Sequence, residues 1–195
     1  VSFPDRHFIA GGCQAYAADG QGDVDDMLIR WSTQEDFTKF TPTSLNTAGD
    51  QRLQVGTKIV TMVSAREETI ISTDEAIYGM TFVGAPFIFS FRLLATDAGA
   101  AGLNTMVSVD GDVYWMGERN FFNYNGVVSE MPCPVQYYVF NRIQLTYIEK
   151  TTVGHNKAFK EITWFYVSND NSAGTLNPEP DSYVTYNYGE NAWTV

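Results

Sequence analysis

Cysteine is scarce in this chain, and its scarcity excludes two kinds of small stabilised domain. The 195 residues include two cysteines, Cys13 and Cys133. Two thiols so far apart in sequence supply neither a disulfide framework nor a four-ligand zinc site. We expect each to be a buried apolar side chain, with extended backbone around Cys133 because prolines flank it. The lack of other thiols favours synthesis in a reducing, intracellular compartment.

Long apolar runs are missing as well. No stretch approaches the roughly 18 unbroken apolar residues of a membrane-spanning helix. The beginning of the chain, VSFPDRHFIAGG, lacks the basic start and long apolar centre of a signal peptide. We therefore expect a soluble chain with no membrane-spanning segment. Because it begins without Met, at a residue that leads into a strand-like run, we also expect it to be a fragment of a longer chain.

Basic residues are few. Lys and Arg number 12 against 23 Asp and Glu, which gives a formal net charge of −11 at pH 7. A surface with that balance repels phosphate backbones rather than attracting them. Stable binding of nucleic acid is therefore disfavoured.

The residues that are abundant indicate a sheet protein. The chain is 44% hydrophobic, with 11 Tyr, 13 Phe and 4 Trp beside many Val, Ile and Thr. The Ala, Leu, Glu and Lys periodicity of helices is scarce. Glycine, Asn, Asp and Ser are scattered between the apolar runs and supply turns. We predict an all-β fold with a sizeable core.

The sequence contains repeats at a regular spacing. The tetrapeptide TMVS occurs at Thr61 and again at Thr105. The runs KIVTMVSA, LNTMVSVD and KTTVGHNK begin at Lys58, Leu103 and Lys150, about 46 residues apart. This spacing is typical of one propeller blade.

Further strand-like runs follow each start in the same order. They are EETIIST, AIYGMTF and FIFSFRLL, then GDVYWMG, NFFNYNG and VVSEM, then KEITWFYV, SYVTYNY and AWTV. A more divergent first unit contains RHFIAGGC and MLIRWS, so the predicted units are 6–57, 58–102, 103–149 and 150–195. Short polar turns before Ala76 and Asn120 suit tight hairpins. In the last unit the turn expands to residues 168–181, which we place in solvent at the rim.

These units predict a β-propeller-like segment of about four blades of antiparallel strands, part of a larger propeller of about six to eight blades. A small sheet with apolar residues on both faces needs a similar sheet on either side. The alternative is a single Greek-key sandwich in which the repetition is coincidental. The aromatic residues expected between successive blades are Trp115, Phe121, Tyr124, Trp164, Phe165 and Tyr186.

The acidic stretch ADGQGDVDD suggests a calcium site, because alternate carboxylates can surround a hard cation. Counted as an EF-hand from Asp19, however, Val24 stands where Gly belongs and Arg30 where a bidentate Glu belongs. A solvated acidic loop is the favoured interpretation. Its carboxylates are Asp19, Asp23, Asp25 and Asp26.

A second motif, SVDGDVYW from Ser108, is similar to the Asp-box of sialidase-type propellers. Here Gly111 comes one place early and Tyr114 replaces Thr. Asp-boxes are structural hairpins and not catalytic. Asp110 and Gly111 are more simply interpreted as a type I′ hairpin turn.

No pattern in the sequence points to catalysis. The two histidines, His7 and His155, fall in the first strands of different units, and GxSxG, HExxH and a phosphate-binding Gly-rich loop are absent. Adjacent acids such as Glu67 and Glu68 point to opposite faces of a strand, so they cannot act jointly on one glycosidic bond. We predict a non-enzymatic protein with two structural imidazoles and with no catalytic residue, cofactor or metal.

Arg30 and Trp31 precede a long polar excursion and allow two interpretations. An Arg beside a Trp could stack on or pair with a partner at an exposed surface. The structural interpretation, which we favour, pairs Arg30 with an acid on the next blade and buries Trp31 in the core.

Blocks spread over the chain resemble a known family. The runs IRWSTQEDFTKFTPTSLNTAGDQRLQVGTKIV, TDEAIYGMTFVGAPFIF and GDVYWMGERNFFNYNGVVSEMPCPVQYYVFNRI resemble the propeller region of tail hub or nozzle proteins of short-tailed bacteriophages. This group includes packaged-DNA stabilisation and tail tubular proteins. The resemblance spans Arg6 to Val195 and rests mainly on the RWS, AGD and VYWMG blocks.

The resemblance implies a virion structural protein of the phage tail, synthesised in the bacterial host cytoplasm. It implies a ring of copies, typically a hexamer, below the portal and adaptor, with contacts to other tail proteins such as the adaptor and a fibre or spike. Genomic DNA would pass along the channel during ejection without sequence-specific binding. An acidic lining would let DNA slide, because no fixed cations hold its phosphates.

Two other functions compete with this one. A glycan-binding or glycan-processing propeller would have a central pocket with convergent carboxylates and aromatics, and the sequence supplies aromatics without a convincing catalytic set. A generic protein-interaction propeller of the WD40 or kelch type would repeat Gly-His and Trp-Asp pairs or a double glycine in every blade. Gly154-His155 occurs once and Trp-Asp never.

Overall fold

The computed structural model describes residues 6–16, 22–172 and 178–195. Strands account for 50% of the chain and helices for 9%, and the strands form four antiparallel sheets. The predicted all-β class is therefore confirmed. The chain divides into two compact units, Val1–Gly99 and Ala100–Val195.

The first unit contains two sheets. One has three strands in the order β1-β2-β3, and the other has four in the order β4-β5-β6-β7. The strands are β1 (Ile9–Gln14), β2 (Val24–Trp31), β3 (Gly49–Arg52), β4 (Ile59–Ser64), β5 (Thr69–Thr73), β6 (Ala76–Gly84) and β7 (Ile88–Thr96).

The second unit contains two four-stranded sheets, one formed by β8 to β11 and one by β12 to β15. The strands are β8 (Met106–Val109), β9 (Asp112–Met116), β10 (Phe121–Tyr124), β11 (Val128–Met131), β12 (Thr152–Asn156), β13 (Glu161–Tyr166), β14 (Ser182–Asn187) and β15 (Ala192–Thr194). Two short α-helices, α1 (Gln136–Arg142) and α2 (Asn169–Ser172), and a 3₁₀ helix (Leu145–Lys150) lie outside the sheets.

Each sheet is a meander, because every strand pairs antiparallel with the next strand in the chain. Each of the predicted ranges 6–57, 58–102, 103–149 and 150–195 contains one sheet. The repeated TMVS falls on the first strand of its sheet both times, on β4 in full and at the start of β8. Four of these elements were not predicted, namely β3, α1, α2 and the 3₁₀ helix.

The turn between β8 and β9 has the predicted type I′ conformation. Asp110 and Gly111 have φ of 51° and 98°, and Val109 pairs with Asp112 across the turn. A two-residue hairpin of this kind needs positive φ at both central residues, which Asp and Gly tolerate better than other residues. The Asp-box-like motif is therefore a hairpin turn.

In the first unit, the core lies between the two sheets. Ile9, Ile29 and Trp31 from the first sheet pack in one cluster with Tyr78 and Phe89 from the second. The ring of Trp31 lies 5.3 Å from that of Phe89, and its Nε1 donates to the Thr47 carbonyl at 2.9 Å. The buried indole therefore has its polar atom satisfied.

The first strand of the second sheet packs against the first sheet. A Cβ at Gly11 on β1 would meet the side chains of Ile59 and Met62 on β4 at 3.1 Å. Glycine at this position therefore lets β4 approach the backbone of β1 closely.

The core of the second unit repeats this arrangement. Phe121 of β10 and Trp164 of β13 are fully buried, with ring centroids 5.0 Å apart. Trp164 Nε1 donates to the Thr105 carbonyl at 2.9 Å. The first strand β12 meets the residues just before β8, since Val153 N donates to the Asn104 carbonyl at 2.9 Å in a parallel bridge. The two sheets of this unit are thus joined by aromatic packing and by hydrogen bonds.

The aromatic residues predicted to lie between sheets are buried with one clear exception. Trp115, Phe121, Tyr124 and Trp164 are buried and Tyr186 is half-buried, but Phe165 is 42% exposed. Phe165 follows Trp164 on β13, and successive strand residues point to opposite faces. The run ITWFY therefore sends Trp164 into the core and Phe165 out of it.

The expansion at residues 168–181 is only partly in solvent. Ser168 is buried, and its backbone N and Oγ both donate to the Asp181 carboxylate, at 2.8 and 2.7 Å. Pro178 is buried as well, and residues 169–172 form α2. The placement in solvent was wrong for the base of the loop, because Asp181 fixes that base against β13. Residues 173–177 lie outside the described part of the chain.

Neighbouring aromatics on β13 provide a test of the core. Trp164→Ala should lower the free energy of unfolding by about 3–5 kcal/mol, because it leaves a cavity and an unpaired Thr105 carbonyl. Phe165→Ala is the matched control and should cost about 1 kcal/mol or less, since its ring faces solvent. Urea unfolding followed by circular dichroism measures both. Equal losses would contradict the assigned sheet faces.

Candidate functional site

The carboxylates proposed for calcium are engaged elsewhere or exposed. Asp25 accepts a hydrogen bond from Met27 N and pairs with Arg52 Nε at 2.7 Å, and these contacts lower its pKa. Asp23 and Asp26 are exposed, whereas Asp19 lies outside the described residues. No group of three or more His, Cys, Asp or Glu side chains in the described ranges could hold a metal ion.

Arg30 and Trp31 have structural roles, although Arg30 differs from the prediction. Trp31 is in the core as expected. Arg30 donates to the carbonyls of Gln14 and Phe40, at 3.0 and 2.8 Å, and pairs with no acid among the described residues. The expected ion pair with the next sheet was therefore wrong. The guanidinium instead satisfies carbonyls at the end of β1 and in the excursion after β2.

The two histidines lie in different units. His7 is 1% exposed, its Nε2 lies 3.0 Å from Thr47 Oγ1, and its ring contacts Phe82 and Phe89. His155 is exposed, and its Nε2 lies 3.1 Å from the Tyr188 hydroxyl. The buried imidazole of His7 thus has a hydroxyl partner and aromatic neighbours within the first unit.

The best candidate site is an open groove beside α1, which we call the α1 groove. Its volume is about 630 Å³, within the range of ligand pockets. The turn between β9 and β10, the segment from β11 to α1, the helix itself and the start of the 3₁₀ helix contribute to it. It is lined by Glu118, Arg119, Cys133, Pro134, Gln136, Tyr137, Phe140, Asn141 and Leu145.

The floor of the α1 groove rests on the core of the second unit. Phe140 on α1 lies 5.2 Å from Phe121, which also contacts Trp164. Trp193 Nε1 donates to the Pro132 carbonyl at 3.0 Å and fixes the segment that leads into the helix. The groove therefore has a rigid base built from both sheets of its unit.

A side-chain amide joins the helix to the opposite wall. Gln136 Nε2 donates to the Arg119 carbonyl at 2.9 Å and also contacts Asn120 Oδ1. These bonds cross from the first turn of α1 to the turn between β9 and β10. They fix the width of the groove at this end.

The rim combines exposed apolar and polar groups. Tyr137 is 84% exposed and Leu145 is 61% exposed. Glu118 and Arg119 are also exposed, and neither makes an ion pair within the described part of the chain. Large apolar side chains next to unpaired charges of both signs are suited to binding an apolar or amphipathic partner.

Cys133 lies in the groove as a protonated thiol. It is 9% exposed, which confirms the expected burial, whereas Cys13 is only half-buried. Burial raises the pKa of the Cys133 thiol, and a hydrogen bond from the Val135 backbone only partly offsets this. A thiol with a raised pKa is a poor nucleophile at neutral pH. The raised pKa therefore argues against Cys133 as a nucleophile in this groove.

Sequence reasoning missed the α1 groove, although a signal was present. The run MPCPVQYYVFNRI interrupts the repeat after β11 with two prolines and two adjacent tyrosines. The prolines end the strand, and after them the apolar residues Val139 and Ile143 lie one helical turn apart, which is the spacing of a helix with one buried face. Exposed tyrosines at such an interruption indicate a binding surface.

Comparison with known proteins does not identify the chain. No protein-family model matches it, and no curated protein does so either. Among the described residues, no helix combines the length and the apolar character that crossing a bilayer requires.

The accessibility of Cys133 tests the geometry of the groove. In a Cys13→Ser variant at pH 8, Ellman's reagent should modify Cys133 about 10-fold more slowly than glutathione, because burial raises the thiol pKa. In urea the two rates should become equal. A native rate equal to that of glutathione would mean that the thiol is not buried at the floor of the groove.

Proposed function

We propose that the chain is a β-propeller segment with a structural role in a bacteriophage tail, of the hub or nozzle type. The observation that carries the proposal is the repeated pairing of meander sheets. In each compact unit two sheets pack through aromatic residues, and in the second unit the segments that carry the first strands meet in a parallel bridge. Propeller blades pack in this way, with the first strands around the axis.

The residues that carry the family resemblance support a structural role. Trp31 of RWS lies opposite Gly49 of AGD in the register of β2 and β3, and the backbone of Arg30 lies opposite that of Asp50. A Cβ at Gly49 would meet the Trp31 ring at 2.4 Å, so the glycine makes room for the indole. VYWMG lies on β9, where Val113, Trp115 and Met116 are fully buried. These blocks build sheets and not a reaction centre.

In this proposal copies of the protein form a ring, typically a hexamer, in the virion tail after synthesis in the host cytoplasm. The ring contacts the adaptor and a fibre or spike, and the segment completes its propeller with further blades of the parent protein. Genomic DNA passes through the ring without sequence-specific binding. No reaction, cofactor or metal belongs to this role.

A second candidate function is glycan binding, which the α1 groove favours. An exposed Tyr ring beside the Gln136 and Asn141 amides suits stacking on and hydrogen bonding to a sugar. Of the residues that line the groove, Glu118 alone carries a carboxylate. Glycoside hydrolysis ordinarily requires two, so the groove fits a binding protein better than a glycosidase. A neutral oligosaccharide that slows Cys133 modification would support this candidate.

Ring formation is the direct test of the structural role. The protein, expressed together with the portal and adaptor proteins of a short-tailed phage that encodes it, should co-purify with them and form rings in negative-stain micrographs. Its propeller blades would make it a rigid subunit with broad faces for assembly. A chain that remains monomeric at all concentrations and in the presence of those partners would contradict the proposal.

The net charge predicts weak contact with DNA. A duplex of about 20 base pairs should show no anisotropy change up to about 100 μM protein at low salt, because non-specific binding depends on Lys and Arg that release counterions. A basic DNA-binding protein of similar size provides the control. Salt-sensitive binding at low micromolar concentration would contradict passage of DNA without retention.

A further inference from the structure

The hairpin formed by β6 and β7 extends beyond the rest of its sheet. The neighbouring strand β5 pairs with β6 only as far as Met80. Beyond that point Thr81 pairs with Ser90, Phe82 with Phe89 and Gly84 with Ile88. At about 3.3 Å per residue, the free part of the hairpin is on the order of 10–15 Å long.

The end of this hairpin is apolar and exposed. Residues 82–87 read FVGAPF, and no charged residue occurs between Glu75 and Arg92. Val83 is 54% exposed and Phe87 is 77% exposed. Single exposed apolar residues are ordinary, but a contiguous apolar tip without a polar side chain marks an interaction site.

The base of the tip is fixed in the first unit. The ring of Phe82 lies 5.8 Å from His7 and 5.7 Å from Phe89, and the rings of His7 and Phe89 are 5.2 Å apart. This three-ring cluster fixes the direction in which the hairpin projects from its sheet. A preorganised tip loses little conformational entropy when it binds.

The α1 groove has the complementary properties. Buried Cys133 and half-buried Phe140 lie at its base, and the exposed residues Pro134, Tyr137 and Leu145 lie at its rim. A dry apolar cavity of about 150 Å³ already holds a benzene molecule, so a groove of 630 Å³ admits the Phe87 ring together with its neighbours.

We propose that the hairpin tip of one copy, residues 82–87, docks in the α1 groove of a second copy. This inference rests on the self-association in the proposed function and names the surfaces that carry it. Because tip and groove are different surfaces, the contact is heterologous, and each copy keeps one free tip and one free groove. Contacts of this kind build rings when the rotation between copies closes.

Charge favours these surfaces over others for self-association. Two copies that each carry a net charge of −11 repel one another. The tip contains no charge, and the rim of the groove carries one acid and one base, Glu118 and Arg119. The contact therefore joins two patches without net charge. Added salt should strengthen it by screening the remaining repulsion.

Sedimentation velocity of the full chain tests the docking mode. Phe87→Asp in the tip and Tyr137→Asp in the groove should each weaken association about 30-fold or more, because each places a charge in an apolar contact. The matched controls are Phe37→Asp in the first unit and Phe159→Asp in the second, which change side chains that are 71% and 67% exposed. Both controls should associate like the unchanged protein.

Mixing the two variants gives a sharper result. The Tyr137→Asp variant keeps an intact tip, and the Phe87→Asp variant keeps an intact groove. Each alone should be monomeric, whereas the equimolar mixture should form a complex of two chains that grows no further. Isologous contact through either surface predicts no such complex.

The outcomes separate the docking mode from the proposed function. If the unchanged protein forms rings and both variants still form them, the docking mode is overturned while the structural role stands. If the unchanged protein is monomeric at every concentration, the docking mode is overturned, and the structural role is overturned with it only if the portal and adaptor proteins also fail to assemble the chain. If the unchanged protein floats with phosphatidylcholine vesicles and Phe87→Asp abolishes this flotation, the tip binds a membrane and the inference is overturned. If a neutral oligosaccharide occupies the groove without affecting association, the groove binds a sugar and the inference is likewise overturned.

Discussion

The structure depends on one constraint, which is that a four-stranded sheet with apolar residues on both faces cannot bury them alone. The contact between Phe121 and Trp164 shows how the second unit meets it, because each ring comes from a different sheet and both are fully buried. Trp31 and Phe89 do the same in the first unit. Repetition in the sequence follows from this, since each sheet needs a partner of similar shape.

The same core positions the candidate site. Phe140 packs on Phe121, so the helix that forms the groove is fixed to the contact between the sheets. The prolines around Cys133 end β11, and Gln136 then joins the helix to the turn before β10. Exposed residues such as Tyr137 are thereby presented on a rigid support, which is how binding surfaces reach useful affinity. The apolar tip of β6 and β7 is supported similarly, by the rings of His7 and Phe89.

Local patterns in the sequence were sufficient for most strands and for the turn at Asp110 and Gly111, because alternation and hairpin chemistry act between neighbouring residues. They were insufficient for β3, whose sequence GDQR has no apolar alternation and whose strand state comes from its pairing with β2. They failed for α1 as well, which buries Val139 and has no side-chain N-cap. The helix is stabilised by packing on the core, and this tertiary contribution cannot be read from the local sequence.

By itself, the sequence determined the all-β class, the order of the strand-forming runs and the acidic surface, since composition and period are properties of the chain. The tertiary structure alone decided that Trp164 points inward while Phe165 points outward, that Arg30 satisfies carbonyls in place of an acid, and that Cys133 lies at the floor of a groove. Each of these depends on which distant residues meet. Register, burial and concavity arise only when the sheets pack, because they are relations between elements and not properties of any one of them.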